Sequence, residues 1–170
     1  FGLPQESETP VIGTVCRLVE QKGLDVLEGA LGDLLERQVQ VVVLGTGEPQ
    51  YEDMLTRMHE RHAGRLGVML KYSNEMAHRV EAGSDMFLMP SKFEPCGLNQ
   101  LYSLKYGTVP VVRSTGGLAD TVVDYSTEGL RQGEATGFAF KAYSPEALLE
   151  AVDRALELYQ DPEAWRRLVL

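Results

Sequence analysis

Residues 85–100 read DMFLMPSKFEPCGLNQ, and this stretch decides the fold. Within it, residues 86–90 are apolar at successive positions rather than alternate ones, which indicates a strand buried on both faces of a parallel sheet. Its second half contains Pro95 and Gly97, which fix a turn that leads directly into a helix. The stretch therefore predicts a strand-turn-helix unit with polar groups at the carboxyl end of the strand.

The same alternation of a short apolar run and a longer amphipathic segment extends along the whole chain. The predicted strands are residues 11–16, 39–44, 67–72, 85–90, 109–113 and 137–140. The predicted helices are residues 22–36, 50–63, 74–82, 97–106, 117–124 and 145–160, followed by an apparent last helix, PEAWRRLVL, at 162–170. Six such units predict an α/β fold: a doubly wound, mostly parallel, six-stranded Rossmann-like sheet with helices on both faces. We expect residues 1–170 to form a single domain.

The composition excludes several classes of partner. Asp and Glu number 25 against 16 Lys and Arg, which gives a formal net charge of −9. Such a charge repels a nucleic-acid backbone, and no apolar run approaches the roughly 20 residues of a membrane-spanning helix. We therefore expect no nucleic-acid partner and no membrane. The two cysteines, Cys16 and Cys96, lack metal-type spacing and no D-x-D or H-E-x-x-H sequence occurs, so we predict no metal and no cofactor.

Two cations follow the first predicted strand. Arg17 lies at the carboxyl end of that strand, and Lys22 lies beside the start of the next helix. Ligands of doubly wound sheets bind at the carboxyl ends of the strands, and a helix N-terminus favours an anion. The two side chains could therefore clamp a pyrophosphate. The alternative is an ordinary solvated loop with Lys22 as a surface charge, and both interpretations stay open at this point.

The loops after the second and third strands carry weaker signals. Gly45 and Gly47 lack the third glycine of a dinucleotide-binding loop and follow the wrong strand, so we expect a structural turn with Thr46 or Glu48 capping the next helix. Tyr72 ends the third predicted strand. Its ring could stack on a nucleobase, or it could pack against a helix.

The loops after the fourth and fifth strands are richer in functional groups. Glu94 lies just ahead of a helix, where it could accept hydrogen bonds from sugar hydroxyls or simply complement the helix dipole. The turn at Pro95 and Gly97 leaves the N–H groups of residues 97 and 98 directed at the site. Residues 113–118, RSTGGL, open the next helix with a glycine pair, which could support the site or contact a phosphate.

Three segments, in this order, resemble a known family. Residues 17–25 read RLVEQKGLD, residues 90–110 read PSKFEPCGLNQLYSLKYGTVP and residues 114–122 read STGGLADTV. They closely resemble the bacterial glycogen synthase and plant starch synthase family, over nearly the whole chain. The resemblance implies the C-terminal, donor-binding half of a two-domain GT-B glycosyltransferase. Such enzymes transfer glucose from ADP-glucose to the non-reducing end of an α-1,4-glucan, with retention of configuration and without a metal.

The resemblance also implies roles for individual side chains. Arg17 and Lys22 would bind the pyrophosphate of the nucleotide and stabilise the charge that develops on the leaving phosphate. Glu94 would contact the transferred glucose, and these three residues are the implied catalytic group. Tyr72 would stack on adenine.

The turn before the fourth helix would bind the donor through its backbone. The resemblance places the main chain of Cys96, Gly97 and Leu98 against the sugar and the phosphate. Many relatives in the wider GT-B superfamily have a second glutamate eight positions after the first, where this chain has Tyr102, so we expect no carboxylate clamp on the ribose. Ser114 stands where many members have arginine, which weakens the positive charge of that loop.

The matching half of the family's enzymes does not act alone, so we expect the chain to be a fragment of a longer enzyme. The glucan acceptor would bind through the missing N-terminal domain, and the fragment would bind ADP or ADP-glucose weakly and transfer little glucose. Two alternatives stay open: another GT-B enzyme that uses a UDP-sugar, and a non-catalytic nucleotide-binding module. The expected location is a bacterial cytoplasm or a plastid stroma.

Overall fold

Six parallel strands form one sheet in the computed structural model, which describes residues 1–169. The strands are β1 (Val11–Val15), β2 (Gln40–Leu44), β3 (Leu66–Met69), β4 (Met86–Met89), β5 (Val109–Arg113) and β6 (Phe138–Phe140). Their order across the sheet is β3-β2-β1-β4-β5-β6, and every pair of neighbours is parallel. The predicted α/β class and the six-stranded, doubly wound sheet are confirmed.

Helices connect the strands. They are α1 (Leu24–Glu36), α2 (Pro49–Arg61), α3 (Asn74–Gly83), α4 (Asn99–Tyr106), α5 (Gly116–Thr121), α6 (Thr127–Gln132), α7 (Pro145–Tyr159) and α8 (Pro162–Val169), with a 3₁₀ helix at Glu20–Lys22 before α1. The six predicted helices and the last apparent helix are present, although Leu170 lies outside the described residues. The short polar helix α6 was not predicted. No helix within residues 1–169 combines the length and the apolar composition that crossing a membrane requires.

The central strands are apolar at successive positions because helices cover both faces of the sheet. On β2, Val41 and Val43 join the core that contains α1, α2 and α7, whereas Val42 and Leu44 belong to the core that contains residues of α3 and α5. Successive side chains of a strand point to opposite faces, so each face receives every second residue. The unbroken apolar runs of the sequence follow from this two-sided burial.

The strand order reverses at β1. From β1 the chain moves outward through β2 to β3, then returns to the other side of β1 and continues outward through β4, β5 and β6. The carboxyl ends of β1 and β4 therefore border a crevice, since the connections that follow them leave in opposite directions. Open α/β sheets bind their ligands at such a crevice.

The loop between β2 and α2 is held differently from the prediction. Glu48 occupies the N-cap position of α2, but its side chain makes no capping hydrogen bond. Glu52, one turn into the helix, accepts hydrogen bonds from the Thr46 hydroxyl at 2.6 Å and from the Gly47 N–H at 2.9 Å. These bonds lower the pKa of Glu52. The prediction that Thr46 or Glu48 caps this helix was wrong, because a carboxylate farther along reaches back.

Gly23 joins the 3₁₀ helix to α1 at a point where a side chain does not fit. Its φ of +79° lies in the left-handed region, and a Cβ would stand 2.1 Å from the carbonyl oxygen of Pro90, just after β4. The main chain after β1 thus contacts the main chain after β4 directly. This contact determines how close Lys22 lies to the β4 loop.

Replacing Gly23 with alanine should lower the free energy of unfolding by about 3 kcal/mol or more, because the substitution combines left-handed strain with overlap against a carbonyl. Gly32→Ala, within α1, is the matched control. Its added Cβ meets nothing within 4 Å, and it should stabilise the chain by about 0.5–1 kcal/mol. Urea unfolding of both variants measures the difference. Equal stabilities would contradict the close contact.

Candidate functional site

A cleft of about 230 Å³ lies where the carboxyl ends of β1 and β4 meet. Five of the predicted site residues line it: Arg17, Lys22, Glu94, Gly97 and Leu98. Arg17 and Lys22 come from the loop after β1, and the other three come from the loop after β4. The two loops that the sequence singled out therefore form one site.

A second cleft of about 270 Å³ continues from the first toward β3. Tyr72 lines it together with Thr46 and Lys71. The two clefts share Val15, Cys16, Arg17 and Asn99. Together they form one groove, which we call the carboxyl-edge groove, with Tyr72 at one end and Glu94 at the other.

Lys22 and Glu94 are ion-pair partners within the groove. Lys22 Nζ lies 2.5 Å from Glu94 Oε2, and their side chains are 20% and 8% exposed. The Ser91 hydroxyl donates a longer hydrogen bond, 3.4 Å, to the same carboxylate oxygen. The side chain of Glu94 is buried beside a cation, so the interpretation that it only complements a helix dipole is wrong. Lys22 is also not a free surface charge.

Arg17 carries an unpaired positive charge in the groove. Its side chain is exposed and, like that of Lys71 in the second cleft, forms no salt bridge within residues 1–169. Its neighbours are fixed, because the N–H of Cys16 donates to Leu44 and the N–H of Leu18 donates to Thr46, at 3.2 and 3.0 Å. A rigid main chain thus presents a cation midway along the groove.

The 3₁₀ helix that carries Lys22 is tied to the β4 loop. The N–H of Lys92 donates to the carbonyl of Gln21 at 2.9 Å, and Lys92 Nζ pairs with Glu20 at 2.5 Å. Together with the contact of Gly23 against Pro90, these bonds set the separation of Lys22 from Glu94. The predicted helix over 22–36 begins two residues later, at Leu24, because Gly23 interrupts it.

The turn that holds Glu94 rests on α5. The N–H of Gly117 donates to the carbonyl of Glu94 at 2.9 Å. A Cβ at Gly116 or at Gly117 would stand 2.1 Å from the carbonyl oxygen of Glu94 or of Cys96, respectively. The glycine pair after β5 therefore supports the site, and neither glycine lines the groove.

Arg113 supports the same loop from the other side. Its guanidinium donates to the carbonyl of Lys92 at 2.8 Å and lies 5.2 Å from the centre of the Tyr143 ring. The hydroxyl of Tyr143 in turn donates to Asp25 on α1 at 2.5 Å. Arg113, at the end of β5, thus stabilises the β4 loop and does not line the groove.

The turn itself differs from the predicted helix start. The helix was expected from residue 97 but begins at Asn99, because Gly97 has a left-handed φ of +70° and Leu98 lies outside the helix. The N–H groups of Gly97 and Leu98 donate to no group within residues 1–169. Both residues line the first cleft, whereas Cys96 is exposed and lines neither cleft.

The ring of Tyr72 is free rather than packed. Tyr72 is 87% exposed, so the alternative that its ring packs against a helix is wrong. The flat face of the ring is available at the outer end of the groove. Tyr102, by contrast, lies against His78 of α3 with ring centroids 5.2 Å apart, and it lines neither cleft.

Sequence reasoning missed two residues that form the floor of the groove. Asn99 lines both clefts, and its Nδ2 donates to the carbonyl of Val15 at 2.8 Å, which joins α4 to the end of β1. Cys16 also lines both clefts, and burial raises the pKa of its thiol to about 12. A polar first residue of α4 was the only signal for Asn99, and nothing in the sequence distinguished Cys16.

Metal coordination has no candidate in the part of the chain described. No group of three or more His, Cys, Asp or Glu side chains within residues 1–169 is arranged to hold a metal ion. The charged groups in contact with the groove are Arg17, Lys22, Glu94 and Lys71. These groups suit an anionic ligand with hydroxyl groups.

Comparisons with known proteins agree on one family. The family model described as glycosyl transferases group 1 matches residues 1–168. Glycogen synthase 2 of Nitrosococcus oceani is 53% identical over 170 residues, which are 100% of this chain and 35% of that relative. A glycogen synthase of Anaeromyxobacter sp. strain K is 55% identical over 168 residues, 99% of this chain and 34% of the relative. The chain thus spans about a third of the length of these curated relatives.

A solved structure is similar over the same range. The catalytic domain of starch synthase IV from Arabidopsis thaliana, bound to ADP and acarbose, superposes with a TM-score of 0.91 at 35% identity, over 99% of this chain and 35% of that one. Sucrose-phosphate synthase of Thermosynechococcus elongatus gives a TM-score of 0.75 at 23% identity, over 97% of this chain and 40% of that one. The second likeness shows the fold alone.

Lys22→Met should lower the free energy of unfolding by about 2–4 kcal/mol, because it leaves the buried carboxylate of Glu94 without a counter-charge. The double variant Lys22→Met/Glu94→Gln should recover most of that loss, since it removes both charges. Arg79→Met, which breaks an exposed pair with Glu75 on α3, is the control and should leave the unfolding midpoint unchanged. Chemical denaturation at neutral pH measures these three variants and the single variant Glu94→Gln. Additive effects of the two substitutions would contradict the pairing.

Proposed function

This chain belongs to the glycosyl transferases of group 1, and on that basis we propose that it is the donor-binding half of a retaining glucosyltransferase. The proposed reaction moves glucose from ADP-glucose to the non-reducing end of an α-1,4-glucan, as a glycogen or starch synthase would. The carboxyl-edge groove carries the proposal, because its two adjoining clefts bring together an exposed aromatic ring, the unpaired cation Arg17 and a half-buried lysine paired with a buried carboxylate.

The order of groups along the groove fits the three parts of a nucleotide sugar. Tyr72 offers a flat face for adenine at the outer end. Arg17 and the free N–H groups of Gly97 and Leu98 suit the diphosphate in the middle, because each donates to an anion. Lys22 adds a second cation for the diphosphate, and Glu94 suits the glucose at the inner end, where a carboxylate can accept bonds from sugar hydroxyls.

The proposed chemistry is stabilisation of a leaving group. The bond between the anomeric carbon and the phosphate oxygen breaks while a new bond forms to a hydroxyl oxygen of the glucan. ADP leaves with the electron pair, and its departing phosphate takes up the proton of that hydroxyl. Fixed donors around the departing phosphate lower the barrier because they meet charge where it develops. Lys22 can donate to the departing phosphate and keep its ion pair with Glu94, since an ammonium group has three N–H donors.

ADP is the proposed nucleotide because of the relatives. The starch synthase IV structure is bound to ADP, and the two glycogen synthases are about half identical to this chain. Residue 102 is tyrosine and lines neither cleft, so this position offers no carboxylate to the ribose. A UDP-sugar transferase and a non-catalytic nucleotide-binding module remain the competing functions, and the binding experiment below separates them.

We also propose that the glucan is bound elsewhere in a longer protein. Residues 1–170 would form one domain of a two-domain enzyme, because the chain spans about a third of its curated relatives. A reaction between two substrates in a cleft requires both halves to close around the donor. The bacterial relatives favour a bacterial cytoplasm over a plastid stroma as the location.

Isothermal titration should show ADP binding to this chain at least about tenfold more tightly than UDP. Arg17→Ala should weaken ADP by about tenfold to a hundredfold, because a charge-assisted bond to phosphate is lost. Arg131→Ala, which removes an exposed arginine on α6, should leave the affinity for ADP unchanged.

Glu94→Ala should weaken the binding of ADP-glucose more than that of ADP, because the contact it removes is to the sugar. Equal affinity for UDP favours the first competing function, and nucleotide binding unaffected by Arg17→Ala and Glu94→Ala favours the second.

The chain alone should release little ADP when it is mixed with ADP-glucose and glycogen, because the acceptor contacts are proposed to come from another domain. A coupled assay for ADP measures the turnover, with a full-length glycogen synthase as the positive control. Turnover of the chain at the rate of that control would refute the two-domain proposal.

A further inference from the structure

Gln100, in the first turn of α4, is buried and points its amide at the turn below it. The residue is 0% exposed. Its Nε2 lies 3.0 Å from the carbonyl oxygen of Cys96, 3.2 Å from that of Gly97 and 3.2 Å from the hydroxyl oxygen of Thr121. Its Oε1 has no hydrogen-bond partner in the described part of the chain. All hydrogen bonds of this amide are therefore made by its N–H groups.

The two carbonyls that Gln100 holds decide where two N–H groups point. In a trans peptide unit the C=O of one residue and the N–H of the next are on opposite sides of the bond. When Gln100 draws the carbonyls of Cys96 and Gly97 into the interior, the N–H groups of Gly97 and Leu98 face the other way. Gly97 and Leu98 line the first cleft, and their N–H groups donate to nothing within residues 1–169.

The surroundings of Gln100 leave this orientation little freedom. The hydroxyl of Thr121 gives its own proton to the carbonyl of Gly117 at 2.6 Å, so it can only accept from Gln100. A Cβ at Gly97 would stand 2.5 Å from Gln100 Oε1, which requires glycine above the amide. If the amide were reversed, its oxygen would face two carbonyl oxygens. Oε1 has no partner because the N–H groups of the same amide face the two carbonyls of the turn.

We propose that Gln100 is a positioning residue that directs the N–H groups of Gly97 and Leu98 at the terminal phosphate of a nucleoside diphosphate. Gln100 does not contact the ligand itself. Two convergent N–H groups form a concave anion site, and they work only if the peptide planes are held in that direction. This inference rests on the proposed nucleotide-sugar function and adds the residue through which the turn acts.

The test compares ADP with AMP, which lacks the terminal phosphate. In Gln100→Met the side chain keeps its size but cannot hold the carbonyls, so the affinity for ADP should fall by about tenfold or more while the affinity for AMP changes by less than about threefold. Thr108→Val is the matched control. It removes a buried hydroxyl that donates to the carbonyls of Glu81 and Ser84, at the other edge of the sheet, and it should leave both affinities unchanged.

Each outcome separates this inference from the proposed function. A wild-type chain that binds neither nucleotide overturns both. Wild-type binding of ADP with equal losses of ADP and AMP in Gln100→Met overturns only the positioning role, because a structural defect would weaken both ligands alike. Should Gln100→Met fail to fold, NMR of the wild type decides. The amide protons of Gly97 and Leu98 should shift downfield with ADP and not with AMP, and unchanged resonances would overturn the inference.

Discussion

Direct contact between main chains at the carboxyl edge of the sheet is the constraint on which the site depends. Gly23 approaches the carbonyl of Pro90, and the glycine pair at 116 and 117 approaches the carbonyls of Glu94 and Cys96. With no side chains between them, the loops after β1, β4 and β5 form one rigid layer. The ion pair of Lys22 with Glu94 follows from that layer, because it brings together two residues that are 72 positions apart in the chain.

The charge of the groove differs from the charge of the whole chain. The net charge of −9 is that of the whole chain, whereas the groove pairs one cation, Lys22, with Glu94 and leaves Arg17 and Lys71 without a salt bridge within residues 1–169. An exposed field is screened within about 10 Å at ordinary ionic strength, so the local arginine and the free N–H groups determine what the groove attracts. An acidic protein can therefore hold an anionic ligand, and a neutral polymer would not be repelled from its surface.

The fold could be predicted from the sequence because a strand buried on two faces appears in the sequence as a continuous apolar run. Residues 41–44 and 86–90 are apolar at successive positions, and each run is followed by an amphipathic segment. The loops with Arg17, Lys22 and Glu94 were also identified, since they follow strands. Two of the missed features are contacts between distant residues: the pairing of Lys22 with Glu94 and the bond from Asn99 to the end of β1. The amide of Gln100 bonds to residues three and four positions away, and it was missed because the sequence does not show that this side chain is buried. Helix α6 was not predicted because it is a short polar segment in which only Leu130 is buried.

The groove is not equally open along its length. The ring of Tyr72 is 87% exposed at one end, whereas Glu94 is 6% exposed at the other. Under the proposed function, a nucleotide that enters from the exposed end would meet the ring of Tyr72 first, the guanidinium of Arg17 next and the less exposed pair of Lys22 and Glu94 last. The first contact and the contacts that recognise the sugar end would then be made by different residues, at opposite ends of the groove.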